Sequence, residues 1–294
     1  MKKNHGFVIF TLFVVFTCNA QTQNTKKWTN LLDKQLSYWN NYLSYRMPAT
    51  YNGTQPKDSL GNLIEPIGEN KDKYGVFTVS VEKNEPILKI SGEIYGCIST
   101  KQEYENYHFK AQMKWGDKKY NPRKKLLKDS GILYHSIGPN GAEFFRTWMR
   151  SIEFQVMSGH MGDFWGQNNT AVDVRAYTPE YIMNPVADKS QPFLAIGPTK
   201  GVITDYCMRS ANYENPDGEW NTLELICFEN KSLHIVNGHV VMILQNHRYV
   251  EDGKSVPMRK GKIQIQSEAT EVYYKNIGIR KLDFLPTEYA QYFK

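Results

Sequence analysis

Residues 150–166, RSIEFQVMSGHMGDFWG, gather several side chains that could do chemistry. Glu153 and Gln155 are two residues apart, so on a strand they would share one polar face. His160 and Asp163 follow in a glycine-punctuated loop. A carboxylate can act as a general base, and an imidazole can act as acid or base near neutral pH. The stretch therefore predicts either a catalytic site or a polar binding surface.

The same stretch leaves two alternatives open for its loop. His160 and Asp163 could hold a divalent metal ion together with Glu153, although their spacing matches no metal-binding signature. Trp165 could stack on a flat ligand, or it could cap the core as most tryptophans do. We therefore expect either no cofactor or one divalent metal ion.

A second polar face is predicted near the end of the chain. In the sequence IQIQSE, Gln266 and Glu268 alternate with Ile263 and Ile265. This period of two places the polar pair away from the core, and Glu268 is the second candidate carboxylate.

The elements that would position these residues are strands. Asn237-Gly238 between two alternating runs is a strong hairpin signal. Helical periodicity is scarce, and ten or more short strands separated by turn residues predict an all-β fold, a two-sheet antiparallel sandwich. The clearest alternating segments are 86–92, 107–115, 130–137, 220–230, 232–248, 261–268 and 272–282.

The N-terminus predicts export. Residues 1–20 combine Lys2 and Lys3 with a short apolar core, as in a secretory signal peptide cleaved after Ala20. Lipidation at Cys18 is the second alternative, since bulky residues precede it. We expect a periplasmic or secreted protein with no membrane-spanning segment in its mature chain.

The mature chain is predicted to be one domain. Residues 21–27 would be a flexible leader, and 28–294 a single sandwich. Three cysteines remain after cleavage, and they allow one disulfide, such as Cys207–Cys227, or none. A structural zinc site is not expected because there is no CxxC pair.

The charge pattern argues against nucleic acid as a partner. Cleavage would remove two lysines and no acid, which lowers the formal net charge from +6 to +4. The basic residues cluster in 114–129, KWGDKKYNPRKKLLKD, which we interpret as a solvated loop. The sequence also has no G-x-S-x-G elbow, no P-loop and no dinucleotide-binding fingerprint.

Four stretches in order carry a family resemblance: WTNLLDKQLSYW, DSGILYH, SIEFQVMSGHMGDFWG, and GEWNTLELICFENKSLHIVNGHVVM with the final GKIQIQSEATEVYYKNIGIRKL. Together, over roughly 28–283, they resemble the 3-keto-disaccharide hydrolase domain family. Its members are similar to concanavalin-A-type jelly rolls, so the resemblance implies a jelly-roll sandwich with a concave sugar cleft. It also implies cleavage of glycosides that have first been oxidised at C3.

The resemblance gives the candidate residues expected roles. Glu153 and Gln155 match a Glu-x-Gln strand on the concave face, with Glu153 as base or as a ligand that organises one. The acid would be His160, Asp163 or His135, the last at the end of the DSGILYH strand. The remaining candidates would bind the substrate: Gln155, Arg146, Arg150, Trp165, Gln266 and Glu268.

Within that set, Arg146 or Arg150 would polarise the 3-keto oxygen, because guanidinium stays charged. Asp129 stands where the family commonly has Asn, which leaves its role open. The segments NPRKKLLKD and 167–218 look like insertions that could reshape the cleft.

Two other functions remain. A non-catalytic carbohydrate-binding module would use the same fold and aromatic residues. An enzyme needs at least two titratable groups that converge, so the surroundings of Glu153 discriminate the two. A structural domain that assembles with an oxidoreductase is the third alternative, and a sugar 3-oxidoreductase is in any case an expected functional partner.

Overall fold

The computed structural model is built almost entirely of β-strands. It describes residues 26–47, 51, 54–142, 147–198 and 205–294. The strands in this part of the chain are β1 (Thr29–Asn30), β2 (Trp39–Leu43), β3 (Gly68–Glu69), β4 (Phe77–Glu82), β5 (Glu85–Ile90), β6 (Gly96–Thr100), β7 (Tyr107–Lys119), β8 (Asp129–Ile137), β9 (Arg150–Met157), β10 (Phe164–Gln167), β11 (Thr170–Tyr177), β12 (Val186–Ala187), β13 (Phe193–Ile196), β14 (Tyr206–Cys207), β15 (Asn221–Phe228), β16 (Lys231–Val236), β17 (His239–Glu251), β18 (Lys254–Pro257), β19 (Lys262–Ser267) and β20 (Thr270–Lys281). A short helix α1 (Thr287–Ala290) and a 3-10 turn (Gln291–Phe293) end the chain.

The strands form two antiparallel sheets. The larger sheet runs β12-β11-β17-β16-β15-β7-β20-β5-β4, with β1, β13 and β18 at its margins. The smaller sheet runs β14-β10-β9-β8-β19-β6-β2-β3. All of these strand pairs are antiparallel. The predicted all-β, two-sheet antiparallel sandwich is confirmed.

The main core lies between the sheets. From β9 it takes Ile152, Phe154 and Val156, and from β7 it takes Phe109 and Met113, all at most 1% exposed. Because side chains alternate along a strand, Glu153 and Gln155 lie on the other face of the smaller sheet. We call this the outer face of the smaller sheet.

The predicted hairpin is present. Asn237 and Gly238 both have positive φ, 48° and 82°, which matches the twist that a two-residue hairpin requires. Val236 pairs with His239 across it. This hairpin joins β16 to β17 in the larger sheet.

The outer face of the larger sheet is partly covered by the C-terminal segment. Leu282, Leu285, Tyr289 and Phe293 pack against apolar residues of β15, β16 and β17, such as Ile235. The outer face of the smaller sheet has no such cover from this segment, and it carries the polar residues singled out in the sequence.

Several sequence predictions concern other parts of the chain. Residues 1–25, including the signal peptide and Cys18, lie outside the described residues. Cys97, Cys207 and Cys227 are buried and free, so no disulfide joins them. No helix in the described residues is long and apolar enough to cross a membrane.

Candidate functional site

The outer face of the smaller sheet carries a set of buried polar side chains around Glu153. Five of them lie on β8, β9, β10 and β19, on the side of each strand opposite the inter-sheet core, and Glu268 directly follows β19. We call this set the polar floor: Asp129, Glu153, Gln155, Gln167, Gln266 and Glu268.

Glu153 is held from two sides. Its Oε2 accepts a hydrogen bond of 2.5 Å from Nε2 of Gln167 on the neighbouring strand. Its Oε1 lies over Gly131, where a β-carbon would be only 2.3 Å away. A side-chain oxygen of Gln266 lies 2.5 Å from the same point. Gly131 therefore lets a carboxylate and an amide meet above the backbone of β8.

Asp129 and Glu268 share one arginine. Nη2 of Arg123 lies 2.5 Å from Oδ2 of Asp129, and its Nη1 lies 3.3 Å from Oε1 of Glu268. The charge pattern predicts a solvated loop for the whole basic run. That holds for the exposed Lys124 and Lys125, but it is wrong for Arg123, whose side chain is 19% exposed.

The carboxyl groups of the floor influence one another. Burial raises the pKa of Asp129 well above its usual value, and the negative charges of Glu268 and Glu153 add to this, while Arg123 opposes it. Burial also raises the pKa of Glu268, against Arg123. Asp129 and Glu268 therefore hold a proton more tightly than separate carboxyl groups would.

Several buried polar atoms of this face have no hydrogen-bond partner among the described residues. They include both amide atoms of Gln266, Oδ1 of Asp129, Oε1 of Gln167 and Nε1 of Trp165. Gln266 is only 1% exposed. Because buried polar groups are nearly always bonded, a row of unbonded donors and acceptors indicates a place for a polar ligand.

Two aromatic rings border the floor. Trp165 pairs with Glu153 across β9 and β10, and Tyr206 pairs with Trp165 across β10 and β14. The two ring centroids are 4.5 Å apart. An indole beside a carboxylate and several amides is a suitable surface for a sugar ring.

His160 and Asp163 lie beyond these rings, in a hydrogen-bonded cluster with Tyr206 and Arg209. Asp163 is fully buried, and its Oδ1 accepts hydrogen bonds from the backbone N–H (2.8 Å) and Nη1 (3.1 Å) of Arg209. Its Oδ2 accepts from the Tyr206 hydroxyl and lies 3.1 Å from Nδ1 of His160. The Asp163 carboxylate is thus fully engaged, whereas the His160 side chain is 31% exposed.

The loop that carries His160 is fixed by a second carboxylate. Glu214 accepts hydrogen bonds of 3.0 Å from the backbone N–H groups of Gly159 and Met161. In the described part of the chain, no group of three or more His, Cys, Asp or Glu residues is arranged to hold a metal ion. The expected divalent metal ion stays a prediction.

His135 lies between the sheets, not on the outer face with Glu153, where its predicted role as the acid would require it. It is 1% exposed, and its ring is 5.5 Å from that of His247. Its φ is +50°, and the β8–β9 register shifts between Tyr134 and Ile137. Burial lowers its pKa to about 3. A β-bulge therefore turns inward a side chain that simple alternation would place outward.

Arg150, one of the two arginines predicted for the 3-keto oxygen, is not on the floor. Arg150 is in phase with Ile152; it pairs with Glu251 at 3.2 Å and stacks over Tyr249 at 4.3 Å, both on β17 of the larger sheet. Arg146 lies outside the described residues. Among the described residues, Arg123 is a basic residue that does reach the floor.

Some residues of the site were missed from the sequence. Gln167 shares a face with Trp165 two residues earlier, so alternation in FWGQ could have found it. Gln264 precedes Gln266 by two residues and binds Ser99 and Asn140, each at 2.8 Å. Three more residues lie in loops or in a two-residue strand: Arg123, Tyr206 and Arg209. There the sequence has no alternating pattern that would indicate where a side chain points.

The fold and the site together define a jelly-roll sandwich whose smaller sheet bears a carboxylate-lined polar floor. The chain belongs to the 3-keto-α-glucoside-1,2-lyase-like domain family, which it matches over residues 27–280. The resemblance noted in the sequence is confirmed. Membership places the chain among glycoside hydrolase-like proteins.

Three solved structures give distant matches. A proposed glycosyl hydrolase from Parabacteroides distasonis ATCC 8503 is 18% identical, with 87% of this chain and 100% of the other covered and a TM-score of 0.46. A β-glucanase from Bacillus licheniformis is 12% identical, with coverage of 89% and 99% and a TM-score of 0.39. The carbohydrate-binding module CBM66 from Bacillus subtilis is 9% identical, with coverage of 70% and 92% and a TM-score of 0.38. No curated protein matches the chain.

Proposed function

We propose that this protein cleaves 3-keto-glycosides by base-assisted elimination followed by hydration. The observation that carries the proposal is the position of Glu153, whose carboxylate is held by Gln167 over Gly131 beside the unbonded amide of Gln266. A fixed carboxylate within a buried polar floor is suited to take a proton from a bound substrate. The family description, a lyase, supports an elimination step.

The reaction follows from the acidity that a ketone gives to its neighbour. Glu153 removes the proton at C2, and the electron pair forms the enolate of the C3 ketone. The enolate then returns the pair to form the C1–C2 double bond, and the bond from C1 to the leaving oxygen breaks. Water adds at C1 and a proton returns to C2, so the net result is hydrolysis.

The amides and aromatics bind the sugar in this scheme. Gln266 offers an unbonded amide beside Glu153, where an N–H can face the developing enolate oxygen. Gln155 shares the face of Glu153 and can hold a ring hydroxyl, while Trp165 offers its ring. Asp163 supports Tyr206 and Arg209 and takes no part in proton transfer.

A binding module would need the amides and aromatics but not the acids. Here the negative charges of Glu153 and Glu268 both act on Asp129, so three carboxyl groups converge on one floor. This convergence favours an enzyme over a binding module. The substrate's C3 ketone requires an oxidation, which we assign to a separate sugar 3-oxidoreductase, and the predicted signal peptide would place the reaction outside the cytoplasm.

The proposal is tested with a 3-keto-glucoside and its unoxidised parent. Wild type should cleave the keto substrate alone, and Glu153→Gln should lose about 100-fold or more of kcat. Glu251 is an exposed carboxylate that pairs with Arg150, so the control variant Glu251→Gln should keep full activity. Equal cleavage of both substrates would replace the proposal with a paired-carboxylate glycosidase, and sugar binding without cleavage would support a binding module. Added chelator tests for a metal in the same assay.

A further inference from the structure

We propose that Asp129 is the general acid, which donates a proton to the leaving oxygen at C1 while Glu153 takes the proton from C2. The proposal rests on the proposed function and adds a catalytic residue to it. Asp129 stands where the family that this chain resembles commonly has Asn. An acid at this position would therefore be a particular feature of this chain.

The geometry separates the two groups by a suitable distance. Glu153 reaches over Gly131, and Asp129 lies two residues earlier on the same strand, β8. Residues two apart on a strand are about 7 Å apart and point to the same face. The point over Gly131 that Glu153 reaches is therefore about one strand repeat from Asp129 on the same face, so both carboxyl groups can address one bound sugar ring.

A ligand between them is indicated by an independent feature. Gln266 lies on β19 opposite Gly131, because its neighbour Ile265 pairs with Ile132. It is 1% exposed, and both of its amide atoms are unbonded. A polar side chain this buried, aimed at the point between two acids, requires a polar partner.

Asp129 itself is arranged to present one oxygen. Its Oδ2 contacts Nη2 of Arg123 at 2.5 Å, while its Oδ1 has no partner. The Arg123 contact fixes the direction of the carboxyl group and leaves Oδ1 to the substrate. Arg123 also contacts Glu268, so it is a positioning residue for the pair.

The charges around Asp129 favour its protonated form, which a general acid needs. Glu153 and Glu268 place two further negative charges near Asp129, while Arg123 contacts Asp129 and Glu268. Like charges in a buried cluster resist full ionisation, and burial raises the pKa of Asp129 in the same direction. Asp129 therefore binds its proton more tightly than an isolated carboxyl group does.

The proton balance closes over the two steps. In elimination, Glu153 gains the C2 proton, the C1–O bond breaks, and Asp129 gives its proton to the departing alcohol. In hydration, Asp129 accepts a proton from the water that adds at C1, and Glu153 gives C2 a proton after exchanging its own with solvent once the alcohol has left. Both groups end in their starting states, and no oxidant or other reactant is needed.

The test uses two leaving groups of different basicity. Wild type and Asp129→Asn are assayed on p-nitrophenyl and methyl 3-keto-glucosides. Nitrophenolate leaves without a proton, whereas methoxide does not. Asp129→Asn should lose about 100-fold or more of kcat on the methyl substrate and less than about 10-fold on the nitrophenyl substrate. The exposed Lys124→Gln serves as a control that keeps both activities.

The outcomes separate the two proposals. If wild type cleaves neither keto substrate, the proposed function fails. If wild type cleaves both and Asp129→Asn falls equally on both, or on neither, the assignment of the acid is overturned and the proposed function stands.

A second variant guards against misfolding. Glu268→Gln removes a like charge, so it should lower the pKa of Asp129 and move the basic limb of the methyl-substrate pH profile to lower pH. An unmoved limb would contradict the role of Asp129.

Discussion

Nη2 of Arg123 lies 2.5 Å from Oδ2 of Asp129, and this contact joins a basic surface loop to the first residue of a buried strand. Its neighbours Lys124 and Lys125 stay exposed. One side chain of the loop therefore leaves the solvent and provides the cation of the polar floor. Without it, Asp129 and Glu268 would lose the counter-charge that the described part of the chain gives them.

Arg123→Met should destabilise the protein most at high pH. Removing one partner of a buried ion pair costs roughly 3–5 kcal/mol. The loss of Arg123 raises the folded-state pKa of Asp129 and Glu268 further, so the folded protein binds protons that the unfolded chain does not. The deficit should therefore shrink as the pH falls through these raised pKa values. Urea unfolding at pH 8 and pH 6 measures it, with Lys124→Met as control; an equal deficit at both pH values would contradict the pairing.

Gly131→Ala should reduce activity more than stability. The new β-carbon would lie 2.3 Å from Oε1 of Glu153 and 2.5 Å from the Gln266 amide oxygen. Both are ends of long side chains and can move, so we expect a stability cost of about 1–3 kcal/mol. Turnover should fall because the displaced carboxylate no longer faces C2. Gly278→Ala, on β20 of the larger sheet, is the control; unchanged turnover in Gly131→Ala would remove Glu153 from the chemistry.

Asp163→Asn should behave in the opposite way. Its carboxylate holds Arg209 and Tyr206, so the variant should lose roughly 3–5 kcal/mol of stability. The kcat of the protein that remains folded should stay within about 10-fold of wild type, since proton transfer contributes far more than that. A full loss of turnover at unchanged stability would show instead that Asp163 acts in catalysis, as the sequence predicted.

The buried histidines should make the fold sensitive to acid. Burial lowers the pKa of His135 and His234 to about 3, and that of His247 well below its usual value. These groups stay neutral in the folded state while the unfolded chain takes up protons below about pH 6.5. Each therefore lowers the free energy of unfolding by about 1.4 kcal/mol per pH unit as the pH falls from there towards 3.

The variant His135→Phe isolates one of these contributions. Between pH 6.5 and 5, its unfolding free energy should depend on pH less steeply than that of wild type. The difference in slope should be the contribution of one buried histidine, up to about 1.4 kcal/mol per pH unit. His239→Gln, at an exposed position, should leave the slope unchanged. Urea midpoints across this range measure both, and identical slopes for His135→Phe and wild type would contradict the buried neutral state.

The positions that could be predicted are those in strands whose polar and apolar residues alternate. Alternation in 150–157 and in IQIQSE correctly placed Glu153, Gln155 and Gln266 away from the core, and Asn237-Gly238 gave the hairpin. The same alternation already sets Arg150 in phase with Ile152, so its position between the sheets could have been predicted from the sequence.

The rest depends on features without a period. His135 turned inward because a bulge interrupts β8, and a bulge depends on the pairing of two neighbouring strands. Arg123 approaches Asp129 and Glu268 from a loop, and the conformation of a loop is set by what it packs against. Asp129 gains its significance only from groups that are distant in sequence.

The central claim, that the C2 proton is removed during cleavage, is tested most directly by running the reaction in D₂O. Proton NMR of the released 3-keto-sugar, taken at early times, reports whether protium remains at C2. Released sugar incubated with the enzyme gives the background exchange. The account predicts that protium is lost from C2 on every turnover. The hydrated product should carry deuterium at C2, and any product released before hydration should carry the C1–C2 double bond. Cleavage with protium fully retained at C2 would contradict it and indicate direct displacement at C1.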